Sequence, residues 1–133
     1  MRYNAPARDS RRDLERILDA LTRKIVLAQE FKCFTCDAFE GLDWGHLFTR
    51  TWRPTRWDVA RDGNNHAQCW PCNSLHEEEP HHYTDKFIET FGEPAYDALD
   101  ARAHSHHKFT IIELHDMIAE RAALLERLQN GSN

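Results

Sequence analysis

The chain has 133 residues, 41% of them hydrophobic, which suits one domain (1–133) with a modest core, and no apolar run approaches the length of a membrane span. A formal net charge of -5 excludes a uniformly basic nucleic-acid binder. The charge is uneven, however: residues 1–72 carry 12 Lys or Arg against 10 Asp or Glu, and residues 73–133 carry 5 against 12, which leaves room for a local phosphate-binding face in the first half.

Residues 1–13 include Arg2, Arg8, Arg11 and Arg12 but no apolar signal region, so the chain reads as intracellular. Ser10 followed by Asp13 has the form of a capping box. Leu14, Ile17, Leu18, Leu21, Ile25 and Ala28 then recur at helical spacing and predict a first helix over 10–30. Its arginines are expected to pair along the helix with Asp13, Glu15 and Asp19 rather than to contact DNA.

Between Phe31 and Gln68 the helical period disappears. Leu42 to Phe48 alternates as a strand would, a turn-rich loop runs through 49–58, and Asp62-Gly63-Asn64-Asn65 signals a turn into a second strand. A helix starting near Cys69–Cys72 completes a ββα unit and should end before Pro80. Short helices are predicted over 84–91, with Thr84 as cap and Gly92 as stop, and from Pro94 to about Ala103. His104–His107 reads as a linker. Thr110 and Glu113 form a capping box that opens a last helix to about Asn130, with Leu114, Ile118, Ala122, Leu125 and Leu128 as an apolar stripe that serves the core or a homodimer seam.

The four cysteines fall as Cys33-x-x-Cys36 and Cys69-x-x-Cys72, two knuckles that can close a tetrahedral thiolate cage around zinc. Two disulfides would suit a secreted chain and a redox pair would occur once, so zinc is the preferred reading. Between the knuckles and just after them lie His46, Asn64 and Asn73. A strand-borne imidazole, a loop asparagine and a helical asparagine would converge in the ββα unit.

These residues resemble the HNH family of ββα-metal endonucleases, in particular its zinc-containing branch, which includes phage endonuclease VII. Gly45-His46-Leu47-Phe48-Thr49-Arg50, Asn64-Asn65-His66-Ala67-Gln68-Cys69, Tyr83 and Phe91-Gly92 are more closely similar to the NinG (Rap) family of phage recombination proteins. The resemblance spans about residues 33–100 and implies an α+β, mostly helical fold: a zinc-stapled ββα core over 33–83, with an N-terminal helix (10–30) and a C-terminal helical part (84–130). It implies a metal-dependent DNA endonuclease acting on branched or single-stranded recombination intermediates in the cytoplasm of a bacterial host. His46 would be the general base, Asn64 would hold the loop, and Asn73 would contribute to a single Mg²⁺ or Mn²⁺ site. Many HNH enzymes carry an acidic ligand where this chain has Gly45. His76, together with His46 and Asn73, is the preferred ligand set, with Glu77 and Asp43 as further candidates.

His66 is balanced between fixing the knuckle and lining the site, and His81, His82 and His104–His107 read as surface residues. Arg50, Arg53, Arg56 and Arg61, interleaved with Trp52 and Trp57, are the candidate nucleic-acid contacts; the tryptophans read as core, and at least two arginines as DNA ligands. Two other readings remain open at this stage. One is a non-catalytic zinc-stapled module that binds nucleic acid or protein, and the other is an acidic helical half that engages a recombination partner protein.

Overall fold

The computed structural model describes residues 10–131; Arg2 and Arg8 lie outside them. The elements run α1 (Arg11–Gln29), β1 (Leu42–His46), α2 (Arg53–Arg56), β2 (Asn65–Cys69), α3 (Trp70–Glu78), α4 (His81–Phe91), α5 (Glu93–Ala103) and α6 (Ile111–Gln129), a mostly helical α+β architecture with one small sheet. No helix is long and apolar enough to cross a membrane.

Two of the three predicted N-caps form, at Ser10 and Thr110. Ser10 Oγ accepts from Asp13 N at 3.4 Å, and Thr110 Oγ1 accepts from Glu113 N at 3.1 Å while Glu113 Oε1 accepts from Thr110 N at 2.9 Å. The α1 stripe (Leu14, Leu18, Leu21, Ile25) packs against the α6 stripe (Leu114, Ile118, Ala122, Leu125), with Trp57 in the same cluster. The α6 stripe is therefore core. Two details of α1 differ from expectation: Ala28 is exposed, and Val26 is buried instead.

The sheet is an antiparallel pair with Gly45 opposite His66 and His46 opposite Asn65. β1 stops at His46 rather than Phe48, because Asn64 takes over the backbone beyond it: Leu47 N donates to Asn64 O at 2.9 Å, and Phe48 N to Asn64 Oδ1 at 2.7 Å. The outer edge of β2 is covered by the segment after α1, where Glu30 Oε1 accepts from Ala67 N at 2.7 Å and Phe34 N donates to Ala67 O at 2.8 Å. The predicted loop 49–58 contains the single helical turn α2. α4 begins three residues before Thr84, at His81, with Pro80 already in helical backbone as its cap. Thr84 turns its hydroxyl back to Pro80 O at 3.1 Å and so cannot cap. At Gly92, φ is +92°, a value side chains disfavour, and there the chain breaks between α4 and α5. A second cluster, Leu47, Tyr83, Phe87 and Leu99, seats α4 and α5 against the end of β1.

A thiol cluster and an imidazole-lined cleft

Cys33 and Cys36 sit in the turn after α1, Cys69 ends β2, and Cys72 lies in the first turn of α3. Their sulfurs all lie within 4.8 Å of one another, and none is in a disulfide. A tetrahedral ion with S–ion bonds of ~2.3 Å needs sulfurs about 3.8 Å apart, so the donor set can hold a structural metal such as zinc. Local polarity supports a thiolate here. Burial works against the Cys33 anion, but the Thr35 hydroxyl, with its oxygen 3.3 Å from the sulfur, and the backbone amides of Cys69, Cys36 and Thr35 outweigh it and bring the thiol to about 6. Burial pushes the Cys72 thiol up to about 12. Four thiols this close cannot all ionise without a cation among them, and a divalent ion relieves that conflict.

One face of the ββα unit opens into a cleft of about 620 Å³ whose lining includes His46, Trp52, Trp70, Asn73, His76 and Glu77. Asn73, His76 and Glu77 share this face because spacings of three and four residues place them in one row on α3. His76 Nε2 lies 2.8 Å from Leu47 O, and a carbonyl can only accept, so the neutral ring carries its proton there and keeps a lone pair on Nδ1. Nδ1 of His76 and Nδ1 of His46 are both buried without a hydrogen-bond partner among the described residues. Burial, reinforced by the nearby guanidinium of Arg50 and opposed by Asp19, lowers His46 to about 4. Its ring is neutral at pH 7.

Asn64 is fully buried and away from the cleft wall. Its amide donates to Phe48 O at 2.9 Å and accepts from Phe48 N, clamping Phe48, while its backbone carbonyl accepts from Leu47 N. Asn73 Nδ2 donates to Trp44 O at 3.4 Å. The Tyr83 hydroxyl, wholly buried, donates to Gly45 O at 3.2 Å and fixes the strand just before His46. Gly45 leaves no room for a side chain, since a Cβ there would lie 2.7 Å from Gln68 Cγ and 2.8 Å from Gln68 Cδ.

Several candidates sit elsewhere. Asp43 is drawn away from the cleft by Arg23, whose Nε donates to it at 2.7 Å. His66 is structural: Nδ1 meets Glu30 Oε2 at 2.7 Å, Nε2 meets Gly63 O at 3.1 Å, and the ring stacks on Phe34 at 4.2 Å. The acids of α1 do not pair mainly along their own helix. Glu15 accepts from Arg53 Nε at 2.8 Å, and Asp19 accepts from Arg56 Nη2 at 2.7 Å and Trp57 Nε1 at 2.8 Å. Arg53 and Arg56 are thus engaged in anchoring α2 to α1. Arg50 is freer, 3.8 Å from Asp19, while Arg61 lines a different cavity beside Phe31 and Lys86. Trp57 is core, and Trp52 lies half-buried at the cleft against His104.

Trp70, Tyr83, Gln68, Glu30 and Asp19 all shape the site or its supports; Tyr83 and Gln68 belong to the stretches that carry the family resemblance, but their contacts were not read from the sequence. Glu30 and Asp19 act across more than thirty residues of chain, which no local pattern records. Trp70 did carry a signal, being a tryptophan inside a knuckle spacer.

No curated protein and no solved structure matches the chain. The family model described as bacteriophage lambda NinG protein matches residues 4–131. That span takes in both knuckles, the cleft and the α1–α6 pair, and on it the chain belongs to the bacteriophage lambda NinG family.

Proposed function

We propose that this protein is a metal-dependent DNA endonuclease of HNH type, acting on branched or single-stranded recombination intermediates of a phage or prophage. The observation that carries the reading is the pair of buried, unpartnered imidazole nitrogens on His46 and His76, lining one cleft with Asn73 and Glu77. Buried polar atoms without partners are costly, and two in one cleft are a common signature of a site that is completed by a ligand.

Roles divide by what each nitrogen can do. An imidazole that ligates a cation cannot accept a proton through the same nitrogen, so His46 as general base leaves Asn73, His76 and Glu77 to hold the divalent ion. His76 fits that task, since its Nε2–H is already fixed by the Leu47 carbonyl, the usual arrangement for a ligating histidine. With a nitrogen donor in the set, Mn²⁺ suits the site better than Mg²⁺. When bound, such an ion neutralises charge on the scissile phosphate and the leaving oxygen. His46, neutral at pH 7, takes the proton of the attacking water, and the negative phosphodiester raises its basicity when DNA is in place. Asn64 and Tyr83 hold the backbone on either side of His46. The thiol cluster, with zinc, staples β2 and α3 to the segment after α1. Paired nicks across a junction would need two copies of the chain, meeting elsewhere than on the α6 stripe that α1 covers.

The test is cleavage of labelled four-way-junction, flap, single-stranded and duplex DNA with Mn²⁺, Mg²⁺ or EDTA, by the parental protein and by His46→Ala. Metal-dependent cutting that His46→Ala removes, with zinc content unchanged, is the expected result. Salt-dependent binding with no product under any metal would replace the proposal with the non-catalytic binding module.

A further inference from the structure

Trp70 borders the cleft with its side chain 74% exposed, in a protein whose Trp57 is fully buried and whose Trp44 and Trp52 are half-buried. The exposure is built in. Trp70 N donates to Gly41 O at 3.1 Å, Pro71 follows, and Cys69 and Cys72 of the thiol cluster flank it, so the backbone cannot swing the indole down onto the protein. An aromatic plane on a fixed backbone has only two side-chain torsions to order on meeting a partner.

The rest of the cleft narrows down that partner. Alongside Trp70 lie the imidazoles of His46 and His76, each with a buried, unpartnered Nδ1, together with Asn73 and Glu77, a polar wall that suits a cation and a phosphate rather than a greasy side chain. Arg50, half-exposed, lies over the Trp44 ring at 5.9 Å and is only loosely paired with Asp19, so it can meet a phosphate. A nucleotide joins an aromatic face to an anion and so answers to both features. Inside a continuous duplex both faces of each base are covered, so only an unpaired base offers one.

We infer that Trp70 is a stacking platform for an unpaired base next to the phosphate held in the cleft, and that it makes the cleft select single-stranded or branched DNA over continuous duplex. The inference rests on the cleft being where DNA lies, and it does not require that the DNA be cut.

The test measures binding, so it separates from the nuclease reading. Fluorescence anisotropy in EDTA-free buffer without added Mg²⁺ or Mn²⁺ would compare a dT oligomer, a forked duplex and a blunt duplex against the parental chain, Trp70→Ala and Trp70→Phe, each checked for zinc content. Trp70→Ala is expected to weaken binding to dT and fork about tenfold and to blunt duplex less than about twofold, with Trp70→Phe recovering most of the loss. Equal losses on all three DNAs, no loss, or no recovery with phenylalanine would overturn it. A loss of self-association in sedimentation without any change in DNA preference would overturn it too, by making Trp70 a contact between copies. Preserved binding preference with no cleavage under any metal would sink the nuclease reading alone.

Discussion

Substituting alanine for Gly45 forces a Cβ into the space of Gln68, whose Cγ and Cδ would lie 2.7 and 2.8 Å away. Gln68 is wholly buried and tied to Thr35 Oγ1 at 3.3 Å, so it has no solvent to retreat into. Overpacking of this kind costs about 1–3 kcal/mol, and removing a strand glycine returns roughly 0.5–1. The net is a loss of about 1–2 kcal/mol, a urea midpoint lowered by about 1 M. Gly45→Asp should be worse, because it sets a carboxylate against Gln68 Oε1, an acceptor that already lacks a donor among the described residues. Gln68→Ala opens the space, so in that background Gly45→Ala should be neutral or stabilising, a coupling of at least about 1 kcal/mol in the double-mutant cycle. A Gly45→Ala variant within about 0.5 kcal/mol of the parent, or additive single and double losses, would refute the packing account of the glycine.

Other outcomes follow from the same contacts. His46, lowered to about 4 from 6.5, stays neutral in the fold at pH values where the unfolded chain protonates it. Its contribution is therefore full above pH 6.5 and lost as pH falls towards 4, by up to about 3 kcal/mol, so urea titrations of His46→Gln should show a shallower acid decline than the parent. Asp19→Ala strands the Arg56 guanidinium and the buried Trp57 indole N–H, and should lower stability by about 2–3 kcal/mol, with Asp19→Asn in between. Cys69→Ser should drop bound zinc from one equivalent to none by metal analysis; retained zinc at parental affinity would contradict the four-thiol cage.

What could be read in advance was whatever the chain records locally. The helix caps at Ser10 and Thr110, the stop at Gly92 and the two knuckles are short-range patterns, and each is where the residues place it. The meeting of His46 and Asn73 at one cleft was legible because knuckle spacing and helical periodicity fix α3 against β1, whereas Asn64, expected to meet them, is buried behind the strand end that it holds. The engagement of Arg53 and Arg56 was not, since their partners Glu15 and Asp19 lie 38 and 37 positions away and are set by how α2 docks on α1. The same holds for Asp43, whose pull towards Arg23 crosses twenty positions. The early start of α4 shows a local signal misread: Thr84 has the chemistry of a cap but spends its hydroxyl on the preceding turn.

The pairing of α1 with α6 has a consequence for synthesis. Roughly eighty residues separate the two helices in sequence. At about 5–20 residues per second, Leu14, Leu18, Leu21 and Ile25 leave the ribosome on the order of several seconds before Leu114, Ile118 and Leu125 exist to cover them. During that interval the nascent chain presents an uncovered apolar stripe while its knuckles are already able to gather metal. The knuckles can then close before α6 exists, and the helix that shields the α1 stripe from aggregation arrives last.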